Sequence, residues 1–238
     1  MVIFADMGGP FPCVMVFAFV VIAVVAIVMA IMKGRARREA MAGLAAELGL
    51  TYYRDDPWDI PERYSQFDLF QEGHSQKASN VLAGRADGRA VIACDYQYST
   101  GSGKDETTHY CQAAILELPI LAARLSLRRE TVLDRVASWV GYDDINFESA
   151  EFSRRYYVKC EEPKFAYDIF HARLIEYLLA CGDAPAMEMK GPLLVLSETQ
   201  GEAENLRRLL AIGRQIITSI PEYVLTARGI QGKAGGGR

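Results

Sequence analysis

The side chains best suited to acid–base chemistry are Asp95, Tyr96, His109 and Tyr110, which lie on either side of a Gly101-Ser102-Gly103-Lys104 segment. If that segment is a turn between paired strands, a carboxylate, two phenols and an imidazole share one neighbourhood that could move a proton. The competing reading is an ordinary cross-strand packing pair of Tyr96 and His109. It is the stronger of the two, because no nucleophile or metal partner stands at a recognisable spacing. His74 falls in a Gly-Ser loop and His171 in a helix, and neither has a helix-spaced His or Glu companion of the metalloprotease type.

Gly101-Ser102-Gly103-Lys104 superficially resembles the end of a phosphate-binding loop. That pattern needs a glycine five residues before its last glycine and Ser or Thr after the lysine, where this chain has Tyr98 and Asp105. The residues beyond Lys104 also read as a strand, not the helix whose N-terminal amides would hold phosphate. Asp143, Asp144, Glu148 and Glu151 lack the alternating ligands and central glycine of a calcium loop and read as a solvated acidic loop. Arg154 and Arg155 are a weak anion-binding candidate, and the stronger expectation is that they pair with nearby surface carboxylates. Cys94, Cys111, Cys160 and Cys181 show neither a C-x-x-C nor a zinc-like spacing, and in a reducing compartment they behave as small buried apolar residues. No metal and no cofactor is expected.

The elements that must position these residues begin with a membrane segment. Phe11 to Met32 is a run of 22 residues without a charge. At 1.5 Å per residue it gives about 33 Å of helix, enough to cross a bilayer core. A cleaved signal peptide would want a basic start and a shorter apolar run, but residues 1–10 carry Asp6 and no Lys or Arg. Lys33, Arg35, Arg37 and Arg38 come directly after the run, so the N-terminus is predicted outside and the rest of the chain in the cytoplasm of a single-pass cell-membrane protein. Of the 26 Lys plus Arg and 30 Asp plus Glu, those four cations and Asp6 precede residue 39. The remainder, 22 against 29, carries a formal charge of −7. That sign argues against a nucleic-acid partner. The bilayer is the expected partner of the stem.

The predicted organisation is a short outer segment 1–10, a transmembrane helix 11–32, a basic stem and juxtamembrane helix 33–50, a soluble domain 51–225 and a flexible tail 226–238. Helix over Arg37–Leu48 stops at Gly49 and continues the spanning helix. Thr51–Pro61 reads as a loop whose Tyr52, Tyr53 and Trp58 cap the core or touch a partner, the first being the stronger expectation. Residues 78–86 and 89–98 form a hairpin about Asp87-Gly88. Residues 105–118 form the next strand, Pro119 interrupts, and Ile120–Leu127 is one more. Glu151–Cys160 alternates like a half-buried strand, and Pro163 opens a helix with a stripe of Phe165, Ile169, Leu174 and Leu178 ending at Gly182. Pro192–Glu198 is a strand and Glu202–Ile220 a final amphipathic helix. These elements make one α+β domain, an antiparallel sheet with flanking helices.

The turns set registers. A two-residue turn at Asp87-Gly88 puts Val81 opposite Cys94 and Asn80 opposite Asp95, and a loop over 101–104 puts Cys94 opposite Cys111, Tyr96 opposite His109 and Asp95 opposite Tyr110. One face then collects Val81, Ala83, Ile92, Cys94, Tyr96, Cys111 and Ala113 as core. Asn80, Asp95 and Tyr110 form a polar row on the other.

The stretch Phe147–Leu179, with Glu151-Phe152-Ser153-Arg154-Arg155-Tyr156-Tyr157-Val158 leading into a helix, resembles a segment of bacterial membrane-anchored proteins of unknown function. Asp95-Tyr96-Gln97-Tyr98 before a Gly/Ser-rich turn is similar as well. The resemblance implies the anchored architecture and no chemistry. The function expected from the sequence is a membrane-tethered cytoplasmic domain, noncatalytic, that binds a protein partner or scaffolds an assembly. The alternative is an unrecognised enzyme or a small-ligand sensor using Asp95, Tyr96, His109 and Tyr110.

Overall fold

A computed structural model describes residues 11–129 and 145–230. The chain divides into two units, Met1–Ala40 and Met41–Arg238, so the boundary falls within the predicted stem. In the first unit helix α1 (Phe11–Glu47) runs unbroken through the apolar segment and the basic cluster. Its Phe17, Phe19, Ile22 and Ile27 side chains are exposed, Phe19 by 77%. A helix that leaves such a surface uncovered and meets the length requirement is a candidate membrane span.

The second unit begins with the last turns of α1, where Met41, Leu44 and Ala45 are buried in the domain core. As expected, Gly49 ends the helix: its φ is +67°, and Leu50 N returns to Ala45 O at 2.8 Å. Beyond it lie six strands, β1 (Thr51–Asp55), β2 (His74–Ala86), β3 (Arg89–Thr100), β4 (Thr107–Arg129), β5 (Tyr156–Cys160) and β6 (Ala186–Thr199). All pair antiparallel in the order β1-β2-β3-β4-β5, with β6 against the other edge of β4. Thus Ile115 pairs with both Ile92 and Val195, and Leu125 with both Cys160 and Met189.

Both faces of the sheet are buried. The main core holds Leu82, Ala93, Ala114, Leu116, Leu194 and Leu196 beneath α6 (Ala203–Thr218), together with α3 (Ala150–Arg155), α4 (Pro163–Ile169), α5 (Ala172–Ala180) and α7 (Glu222–Arg228). On α6, Leu206, Leu209, Ile212 and Ile216 lie at helical spacing and are buried, each contributing roughly 2 kcal/mol of transfer free energy. The opposite face is covered by a strap running from α2 (Ile60–Arg63) through a 3₁₀ turn at Asp68–Phe70. Its Ile60, Tyr64, Phe67 and Phe70 pack on Val81, Cys94, Tyr96 and Ala113. The predicted core face is therefore a real apolar face. It is the smaller of two.

Several elements differ from expectation for local reasons. Thr51–Pro61 is not a loop throughout: Tyr52 and Tyr53 sit in β1, and Asp56 receives the amides of Trp58 (3.0 Å) and Ile60 (2.6 Å) to launch α2. Pro119 does not break the strand. It falls where β4 changes register against β6, between the pairs Glu117–Leu193 and Ala122–Gly191 (Gly191 φ +56°), so its missing amide costs no regular ladder bond. Glu151–Cys160 is half helix: Ser149 Oγ accepts from Phe152 N at 3.3 Å and caps α3, leaving only Tyr156–Cys160 extended. The helix expected from Pro163 breaks at Phe170 (ψ 54°), and α5 starts afresh with His171 held to Ser219 O at 2.8 Å. The domain limit at 225 falls inside α7, which runs to Arg228. Asp143 and Asp144 lie outside the described residues.

The hairpins carry the most instructive departures. Asp87 and Gly88 have φ of 52° and 76°, and Ala86 opposes Arg89 as a two-residue turn requires. Leu82 through Ala86 keep the predicted register, but a bulge at Asn80-Val81 then puts Ser79 opposite Asp95. The next connection spans 101–106, two residues longer than expected. Cys94 therefore faces Ala113, Tyr96 faces Cys111 and Tyr98 faces His109. A shift of two preserves the faces, so Cys94, Tyr96, Cys111 and Ala113 still share one.

Candidate functional site

A groove of about 1070 Å³ runs beside β6. Its walls come from β6 (Met187, Glu188, Val195, Ser197, Thr199), from Tyr98 and His109–Cys111 at the β3–β4 hairpin, and from Leu69 and Glu72 of the strap. Arg128, Arg129 and Arg208 supply its positive charge, and Glu72, Asp183, Glu188 and Glu198 its negative charge.

Beneath one wall lies a cluster of charges that ties the strap to the sheet. Arg124 donates to Asp68 Oδ1 at 2.6 Å and to Glu188 Oε1 at 3.1 Å. Arg128 donates to Asp68 Oδ2 at 3.0 Å and to Glu72 Oε1 at 3.3 Å. Glu188 also accepts the Asp68 amide at 2.8 Å. Asp68 and Glu188 are 5% and 6% exposed, so the attraction acts at low effective dielectric, against a desolvation cost of similar size. Burial raises the Glu188 carboxyl, helped by the Asp68 charge, and the Asp68 amide and Arg124 oppose the rise. Across β6, Glu198 is also raised by burial and is held by Arg208 at 2.8 Å.

Period-2 geometry brings the cluster together. Arg124, Ser126 and Arg128 alternate with the core residues Leu125 and Leu127, and Glu188 sits between the buried Met187 and Met189 on the partner strand. Sequence reasoning missed these residues. The available signal was charge at alternate positions inside otherwise apolar strand runs.

The four candidates named from sequence do not converge. Asp95 is buried on the main-core side opposite Gln112 and accepts from Asn80 Nδ2 at 2.8 Å, while Asn80 Oδ1 accepts from the Tyr52 hydroxyl at 2.8 Å. Tyr96 points to the other face, edge-on to Phe70 at 5.1 Å. His109 stacks on Tyr98 at 4.9 Å, and its Nε2 lies 2.8 Å from Thr100 Oγ1. Its packing partner is thus Tyr98, not Tyr96. Tyr110 is 54% exposed, opposite Gln97. His109 and Tyr110 line the groove, and Asp95 and Tyr96 lie outside it.

Three of the cysteines, Cys94, Cys111 and Cys160, are poor nucleophiles. Burial pushes the Cys111 thiol up to about 12 and Cys160 to about 11, and holds Cys94 well above the usual thiol range. Gly103–Asp105 forms a short 3₁₀ turn leading into β4 and not a phosphate-binding helix. Arg155 pairs with Glu151 at 2.6 Å one helical turn away, as expected for a surface arginine.

No family model and no curated protein matches the chain. The fold is that of an α+β domain, an antiparallel sheet with flanking helices, behind an N-terminal apolar helix. A solved structure of similar fold is the crystal structure of the mycobacterial trehalose monomycolate transport factor A, TtfA. Its TM-score is 0.58 over 77% of this chain and 94% of that one, at 12% identity. At that identity the likeness bears on fold alone.

Proposed function

We propose that this chain is a membrane-tethered, noncatalytic module whose soluble domain lies on the cytoplasmic side and binds a protein partner along the groove beside β6. The observation that carries the reading is the groove itself, whose wall includes both halves of β6, a strand that pairs only with β4 among the described residues. A strand bonded on one side offers backbone donors and acceptors to an extended segment of another protein. The groove's charges are already matched within the domain, Arg128 by Asp68 and Glu72, Arg129 by Asp183 and Arg208 by Glu198, which suits recognition better than activation of a nucleophile. The Glu151–Val158 segment supports grouping the chain with the bacterial membrane-anchored proteins that it resembles.

His109 and Tyr110 on the groove wall favour a second reading, a small-ligand sensor. A photo-crosslinking residue at Thr199, with one at Thr218 as control, separates the two in intact membranes. A discrete protein adduct from Thr199 alone supports the partner reading; equal labelling at both positions, or none at Thr199, sinks it. Orientation is checked by a reporter fused after Arg238. A reporter found outside the cell overturns the cytoplasmic placement.

A further inference from the structure

We infer that the helical band Lys33–Arg38 is a binding site for the headgroups of anionic phospholipids, which it gathers around the anchor in preference to zwitterionic ones. The inference rests on the membrane-tethered reading and goes beyond it, because an apolar span alone has no preference among headgroups. α1 continues as regular helix through the band, with Lys33 and Arg35 exposed. The geometry is set by the helix. At about 100° per residue, Lys33, Arg37, Arg38 and Arg35 fall at about 0°, 40°, 140° and 200°, so cations cover more than half of the circumference. The remaining sector holds Met32, Ala36 and Glu39.

Height matches as well. From Lys33 to Arg38 the helix rises about 7.5 Å. The interfacial layer on each side of a bilayer is roughly 5–7 Å thick. With Phe11–Met32 in the hydrocarbon, the band lies at the level of the lipid phosphates. Three of its four cations are arginines, whose planar fork donates two hydrogen bonds to one phosphate. The rest of the chain, at −7, is not drawn to such a surface, so the band supplies the attraction. Each basic side chain near an anionic surface favours it roughly fivefold.

The test uses the full chain in vesicles of phosphatidylcholine containing one-fifth phosphatidylglycerol, with spin-labelled lipids of each type reporting the shell around the anchor. We expect phosphatidylglycerol to be enriched about fivefold or more, the enrichment to fall with added salt, and the combined Lys33→Gln, Arg35→Gln, Arg37→Gln, Arg38→Gln variant to lose it to within twofold. Lys33→Gln with Arg35→Gln, confined to exposed positions, should lose part of it. A chain that resists alkaline extraction yet shows equal association of both lipids overturns the inference and leaves the anchor standing. A chain that alkali extracts overturns both.

Discussion

Asn80 occupies the bulge of β2 at φ 48° and from there donates its side-chain amide to Asp95 on β3, Nδ2 to Oδ2 at 2.8 Å. The bulge and the hydrogen bond are one device, since Asn tolerates the left-handed region and its short amide reaches across the strand. Asn80→Val should therefore cost about 3 kcal/mol, combining the strain of a β-branched residue at positive φ with loss of a bond to a buried carboxylate. Asn80→Gly keeps the backbone and loses only the side-chain bonds to Asp95 and from Tyr52, about 1–2 kcal/mol. Urea unfolding of the two variants reads the difference. Equal costs would mean that the bulge is not what Asn80 is there for.

Removing Arg124 takes a guanidinium from both Asp68 and Glu188. Arg124→Met should destabilise the domain by about 3–5 kcal/mol, and adding Glu188→Met should restore part of that loss. A double variant no better than the single one would show that the cluster is not energetically connected.

Glu188 also gives a pH signature. Its folded-state pKa is raised, so the native state holds a proton that the unfolded chain releases. That contribution is fully present below the ordinary carboxylate value and is lost as pH rises through the raised one. Between those two values the stability of the wild type should fall with pH relative to Glu188→Gln, which cannot titrate. Parallel stability profiles would refute the shift.

Two glycines with similar φ should respond differently. At Gly73 (φ +65°) an added Cβ would stand 2.1 Å from Ser99 O, whereas at Gly88 (φ +76°) it would meet nothing within 4 Å. Gly88→Ala should cost about 1–2 kcal/mol from backbone strain. Gly73→Ala should cost clearly more, because a carbonyl of β3 must also move. Thermal unfolding that ranks them the other way would contradict the contact at Ser99.

Native-state alkylation at pH 8 should modify Cys181 before Cys94 and Cys111. The latter two are held as thiols by burial, Cys111 with a pKa of about 12. All should react in urea. Rapid native labelling of Cys111 would show that the groove wall at that point is open and polar.

What the sequence determined by itself is what neighbouring residues decide. The uncharged run Phe11–Met32, the basic band behind it, the Gly49 stop, the Asp87-Gly88 turn and the stripe of α6 each depend on side-chain type at fixed local spacing, and each stands in the fold. Tertiary structure decided the rest. One extra residue at Asn80 and two more in the 101–106 connection moved the pairing, because register is a relation between strands and no local signal marks the bulge. The long β4 strand passes Pro119 only because β6 changes register beside it. The charge cluster needs Asp68, Arg124 and Glu188, separated by 56 and 64 residues, to meet at one point of the sheet. That meeting was settled by which strands lie side by side, and with it where Asp95, Tyr96, His109 and Tyr110 point: on two faces of the sheet, with only His109 and Tyr110 in the groove.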